Sequence, residues 1–266
     1  MARKLGILCL AWLVLNLLGA CAQPAAPCPT PEPPRPVTDL GGREVVCAVI
    51  NTYPPFSYLG PDNQPIGFDY DLETEVCKRA NCKPKWKEVA WQGIFEAARA
   101  GEFDVAFQGT TMTLERSKIV DFSDPIIEYG QAVLVRADDT SIPDEEALVK
   151  AVNKKIGTEA GTTNEITAIK KFGEQRVMLY DSSEIPIQAL LSGDVDAVLI
   201  DEIAGLGYMR ANPGKMKMPF KVSSGEFLAF FFTPGSPLEP AFNQAINQMW
   251  ADGTMQALMD KWFSAQ

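Results

Sequence analysis

Phe103-Asp104-Val105-Ala106-Phe107-Gln108-Gly109-Thr110-Thr111-Met112-Thr113-Leu114-Glu115-Arg116 sets the pattern for the whole chain. Residues 103–107 read as a strand, and the polar loop that follows them ends in an arginine. Just upstream, Trp91, Ile94, Phe95 and Ala98 recur at helical spacing, and Gly101 stops them. A second unit of this kind closes on a carboxylate: Gly193-Asp194-Val195-Asp196-Ala197-Val198-Leu199-Ile200-Asp201-Glu202. Outward from these two, residues 45–50, 131–136, 155–158, 177–180, 195–200 and 227–232 read as further strands, with helical patterns between them. One such helix is capped by Asp69 and carries Leu72, Val76 and Ala80 at i, i+4 and i+8. Alternation of β and α segments predicts an α/β fold of mainly parallel sheets covered by helices. About 230 residues are too many for one core of this type, so two lobes are expected.

The N-terminus reads as an address. Arg3 and Lys4 precede an apolar run from Leu5 to Leu18, and Leu18-Gly19-Ala20-Cys21 follows. Residues 1–20 are expected to be a signal peptide, because the apolar run is shorter than the roughly 20 residues a membrane span needs. The small residues before Cys21 resemble a bacterial lipobox, which implies lipidation of Cys21. Residues 22–36 hold seven prolines. That composition disfavours packing, so residues 21–36 are read as the lipidated cysteine and a tether reaching on the order of 40 to 50 Å.

Removing residues 1–20 takes away Arg3 and Lys4 only, which leaves 22 basic against 34 acidic side chains. So acidic a surface repels phosphate backbones and speaks against a nucleic-acid partner. The chain has no histidine, which removes the usual proton shuttle and the commonest metal ligand; neither a metal nor a cofactor is expected. Cys28, Cys47, Cys77 and Cys82 remain beyond the lipidated residue, and four cysteines allow three pairings. Cys77 and Cys82, close together at a helix end in an exported protein, are expected to form a disulfide. Cys47 reads as a buried apolar residue on a strand.

Ligands of such sheets bind at the carboxyl ends of strands. There Thr52-Tyr53-Pro54-Pro55-Phe56 presents Tyr53 as an aromatic face or packs it inward. The loop from Gln108 and Gly109 through Thr111 to Arg116 offers polar groups and a guanidinium that forks onto a carboxylate, or else pairs at the surface with Glu115 or Asp121. Glu159-Ala160-Gly161-Thr162-Thr163 opens a helix whose free N–H groups favour an anion. Asp201 either takes an ammonium or caps the next helix. Together these groups make a receptor for a zwitterion.

Tyr53-Pro54-Pro55-Phe56, Gly67-Phe68-Asp69-Tyr70-Asp71-Leu72, Gly101-Glu102-Phe103-Asp104, Thr113-Leu114-Glu115-Arg116, Val120-Asp121-Phe122-Ser123-Asp124-Pro125, Gly161-Thr162-Thr163, Gly193-Asp194-Val195-Asp196-Ala197 and Ala251-Asp252-Gly253-Thr254 occur in that order. The series resembles the family 3 extracellular solute-binding proteins of polar amino-acid ABC importers, from about residue 44 to 263. The resemblance implies a two-lobed, Venus-flytrap periplasmic-binding-protein fold. Lobe 1 would comprise residues 37–134 plus 229–266 and lobe 2 residues 138–225, with two hinge crossings. It implies that Arg116 binds the ligand carboxylate, Thr111 and Thr163 make polar contacts, Asp201 binds the amine, and Tyr53 and Trp91 enclose the side chain. Glu159 would lie beside that side chain with Gln108 near, which favours a basic or amide-bearing amino acid, arginine first. Against arginine, Ile50 stands where some basic-amino-acid binders carry an aspartate. Ile126-Ile127 after Asp124-Pro125 departs from relatives that carry aromatics there, a difference expected at one pocket wall.

The implied protein is a monomeric receptor, not an enzyme, exported and lipid-anchored on the extracytoplasmic side of the membrane. Its partners would be a free amino acid and the ABC permease. The same fold also hosts dehydratase chemistry, for which Glu159 is the acid or base candidate, and ligand sensors.

Overall fold

The computed structural model describes residues 36–264, and the expected signal peptide, Cys21, Cys28 and nearly all of the expected tether lie outside that range. The chain opens with β1 (Glu44–Val49), the short strands β2 (Thr52–Tyr53), β3 (Ser57–Leu59) and β4 (Pro65–Ile66), and helix α1 (Phe68–Ala80). Then come β5 (Lys83–Glu88), α2 (Ile94–Arg99), β6 (Val105–Ala106), β7 (Asp121–Phe122) and β8 (Ile127–Tyr129). A second series follows: β9 (Gln131–Arg136), α3 (Glu145–Lys150), β10 (Ile156–Glu159), α4 (Thr163–Phe172), β11 (Val177–Tyr180), α5 (Glu184–Ser192), β12 (Ala197–Asp201), α6 (Glu202–Ala211) and β13 (Met216–Lys221). The return is β14 (Glu226–Leu228), β15 (Phe231–Phe232), α7 (Glu239–Ala251) and α8 (Thr254–Phe263).

These strands form two five-stranded sheets, ordered β5-β1-β6-β15-β7 and β11-β10-β12-β9-β13. In each sheet three neighbouring strands pair in parallel, and one strand running the other way, β15 or β9, joins them antiparallel to the fifth. The result is a two-lobed Venus-flytrap fold, one sheet to a lobe. The chain crosses between sheets at Gly130, from β8 to β9, and over residues 222–225, from β13 to β14; β8 and β14 pair with each other. One lobe core stacks Phe56, Phe68, Phe107, Phe230 and Phe242, all fully buried. On the other face of the same sheet, Ile94, Ala98, Phe103 and Phe231 form a separate cluster.

Several local expectations are corrected. Asp69 does not cap α1: the helix starts at Phe68 after Gly67, whose φ of 143° and approach to Phe56 O leave no room for a Cβ. Asp69 is turned into the lobe instead. Trp91 is not on α2, because Gly93 at φ 78° begins the helix at Ile94. The strand read over residues 103–107 shrinks to β6, since Phe103 and Phe107 pack into different clusters. Likewise residues 227–232 break into β14 and β15, where Phe230 N donates to Ser123 Oγ at 3.0 Å rather than to a ladder. Leu72, Val76 and Ala80 are fully buried, as the spacing requires. Cys77 and Cys82 form the expected disulfide, and Cys47 is a buried free thiol.

Candidate functional site

All nine residues singled out by the sequence as ligand-binding line one cleft between the two sheets. From the first lobe, Tyr53 stacks on Phe56 with ring centroids 5.4 Å apart, and its hydroxyl crosses the cleft to donate to Asp201 Oδ2 at 2.7 Å. Gln108 and Gly109 both adopt left-handed backbone after β6, and Gly109 lies against the Tyr53 and Phe56 rings. The Gln108 amide is engaged at both ends within its own lobe: Nε2 donates to Ala48 O at 2.7 Å and Oε1 accepts from Ser57 Oγ at 3.1 Å. Gln108 N donates to Asp69 Oδ2 at 3.2 Å.

Arg116 stands on a single 3₁₀ turn and is only 9 % exposed. Its Nη1 donates to Thr111 O at 2.9 Å, and its guanidinium carbon lies 4.7 Å from the Phe95 ring centre and 5.1 Å from that of Trp91. Burial lowers its pKa, offset in part by Tyr129, Asp201 and Tyr53. The surface pairing is not what forms, because Glu115 pairs with Lys118 and Asp121 Oδ2 accepts from Gly235 N. Trp91 Nε1 and Gln92 Nε2 reach across to Gly161 O and Ala160 O, each at 3.3 Å.

From the second lobe, Thr162 caps α4, accepting from Glu165 N at 3.1 Å, so Thr163 and Asn164 begin the helix at the cleft. Thr163 Oγ1 lies 3.3 Å from Thr111 Oγ1 of the other lobe. Asp201 occupies the N-cap position of α6 but makes no cap bond. Its carboxylate takes Tyr53 OH on Oδ2 and Asn164 Nδ2, at 3.0 Å, on Oδ1. Burial pushes Asp201 up to about 6 against those two donors. Glu159 ends β10 and accepts from Ser183 Oγ; burial raises it to about 7, with Ser183 opposing and the Asp201 charge adding. Lys154, nearby in sequence, pairs with Asp196 at 3.0 Å and not with Glu159.

Among the polar residues of the lining that went unread in the sequence are Asn164, which holds Asp201, and Ser183, which holds Glu159. Neither carries a charge or a motif that marks it, and their partners are 37 and 24 residues distant. The expected difference at a pocket wall is also corrected. Ile126 and Ile127 are buried in the first lobe's core and do not line the cleft, whereas Ile50 does. Among the described residues, no group of three or more His, Cys, Asp or Glu side chains gathers as a metal site.

The sequence model of the bacterial extracellular solute-binding proteins, family 3, matches residues 45–265. This chain belongs to that family. Among its family relatives is the L-cystine-binding protein of Escherichia coli strain K12, 30% identical over 216 residues and covering 80% of each chain. An ancestral arginine-binding protein bound to glutamine superposes with a TM-score of 0.77 at 34% identity, over 84% of this chain and 98% of that one. An ancestral amino acid-binding protein, a precursor of cyclohexadienyl dehydratase, gives 0.75 at 31%, over 83% and 95%. The family is one of extracytoplasmic receptors for amino-acid ABC importers.

Proposed function

We propose that this protein binds a free amino acid as its zwitterion in the cleft and delivers it to the permease of an ABC importer. The observation that carries the reading is the pairing of Arg116, buried and without an ion-pair partner among the described residues, with Asp201 on the opposite lobe. Arg116 and the start of α4 suit the carboxylate, and Asp201 suits the ammonium. Thr111 and Thr163 add polar contacts, and Tyr53 and Trp91 supply aromatic walls.

Charge counting at the cleft supports a basic or amide-bearing side chain. Arg116, Asp201 and Glu159 are its ionisable side chains of ordinary charge, so a bound zwitterion balances the first two and leaves Glu159. A half-buried carboxylate is costly beside an aliphatic group and favourable beside an N–H donor, so arginine is our first choice, with glutamine next. The relative named for arginine and bound to glutamine is consistent with this. Cystine, bound by another relative, is the competing ligand.

The reading extends to a monomer anchored by lipid on Cys21, with the proline-rich tether as spacer. Calorimetric titration with L-arginine and with agmatine, its decarboxylated analogue, tests the zwitterion site. Arginine is expected to bind at least about 10-fold more tightly, the worth of a charged hydrogen bond. Equal affinities would remove Arg116 from carboxylate recognition. The dehydratase-like alternative draws on Glu159 near 7 in the cleft, and conversion of a bound amino acid during incubation would favour it.

A further inference from the structure

Behind the cleft, Tyr129 stands between the hinge and Thr111. Gly130 beside it passes so near the returning strand that a Cβ there would lie 2.2 Å from Ser223 O. Across this crossing the Glu226 carboxylate gathers three donors: Ser223 Oγ, Gln131 Nε2 at 2.9 Å and Tyr129 OH at 3.3 Å. Tyr129 has one hydroxyl proton, and it goes to Glu226. Its oxygen also lies 2.6 Å from Thr111 Oγ1, a contact in which either oxygen could donate; with the Tyr129 proton on the Glu226 carboxylate, which only accepts, the donor there is Thr111. Thr111 then has no proton left to give. Toward the cleft, and toward Thr163 Oγ1 at 3.3 Å, its oxygen is an acceptor.

We propose that Tyr129, its proton drawn to Glu226, is a positioning residue that fixes the Thr111 hydroxyl as an acceptor and so makes the cleft select ligands bearing an α-ammonium. The inference rests on the amino-acid reading of the site. An oriented acceptor adds to Asp201 in binding an ammonium. Against a ligand without one, it presents an oxygen lone pair that finds no donor. Tyr129 is nearly fully buried and does not itself line the cleft; it meets the lining through Thr111 and Thr163, so it acts on the ligand indirectly.

The test is the ratio of affinities for L-arginine and for 5-guanidinopentanoate, which is arginine without its α-amino group. Calorimetry would be run on the wild type, Tyr129→Phe, Thr111→Val and the double variant. A general loosening of the lobe lowers both affinities and leaves the ratio alone. The relay predicts that Tyr129→Phe lowers the ratio by roughly 3- to 10-fold, because Thr111 becomes free to turn its proton toward the carboxylate. It also predicts no further fall when Tyr129→Phe is added to Thr111→Val. An unchanged ratio in folded Tyr129→Phe, or independent effects in the double variant, overturns the proposal. If the wild type binds glutamine or cystine in place of arginine, the ratio is taken between that amino acid and its desamino analogue; a wild type that binds none of the three removes the amino-acid reading and this inference with it.

Discussion

Arg116 and Asp201 were legible in the sequence because each is a charged residue placed just after a strand, where such folds bind ligands. Burial and the absence of a mutual ion pair could be seen only in the structure. Arg116→Ala is expected to weaken amino-acid binding by at least about 1.5 to 3 kcal/mol and leave the fold intact, as read by calorimetry and circular dichroism. Unchanged affinity in a folded variant would remove Arg116 from the site. Glu159 gives a pH signature. With its pKa raised to about 7, it is protonated on the acid side and ionised on the alkaline side. A cationic ligand therefore gains affinity as pH rises through about 7, whereas an amide-bearing ligand shows little change between pH 6.5 and 8 by the same argument. Calorimetry across that window checks it, and arginine binding that weakens toward pH 8 would contradict it. Asn164 and Ser183 were illegible because their importance lies only in which carboxylate each one holds.

Helix α1 shows how an element can be read correctly and its interior misread. Its apolar stripe was plain, but Asp69 and Glu73, one turn apart, are both fully buried on the same side. Among the described residues, Asp69 Oδ1 and both Glu73 oxygens lack a hydrogen-bond partner. Burial pushes Asp69 up to about 7, while burial and the Asp69 charge hold Glu73 well above the carboxylate range. Groups with raised pKa favour the fold below their unfolded values near 4, and that contribution is lost as pH rises through the folded values. The apolar isostere Glu73→Met should therefore raise the melting temperature, and more at pH 8 than at pH 4. Equal or lower melting temperatures at both would contradict the burial argument. The Cys77–Cys82 bridge, with a sequence separation of 5, closes a short loop. Reduction should cost no more than about 2 kcal/mol in a denaturant titration. The bounds of β6 escaped exact reading because Phe103 and Phe107, four positions apart and so on one face of an unbroken strand, serve different clusters, and those of β14 and β15 because Phe230 N turns to Ser123 Oγ, which no alternation pattern encodes.

Across the whole molecule, the cleft is bridged by side chains of both lobes: Tyr53 to Asp201, Thr111 to Thr163, Trp91 to Gly161, and Tyr208 OH to Thr52 O at 2.6 Å. Closure of two lobes buries the ligand and gives a shape for a permease to recognise. The alternation of strands and helices made the α/β sheets legible, the chain length called for two lobes, and the ordered motifs placed the cleft. What stayed hidden were the particular bonds across the cleft, such as Tyr53 to Asp201 and Thr111 to Thr163, because sequence distance carries no information about which side chains of facing loops touch. Cys21→Ser, at the far end of the tether, is expected to move the protein from the membrane to the soluble fraction; retention after complete signal cleavage would contradict the anchor. The central claim, that this cleft holds a free amino acid, is tested most directly by a thermal-shift screen of the twenty amino acids. A bound ligand raises stability by RT ln(1 + [L]/Kd), about 2.7 kcal/mol at a hundredfold excess over Kd. The account predicts clear, concentration-dependent stabilisation by a basic or amide-bearing amino acid, arginine foremost, and no shift in any of the twenty would contradict it.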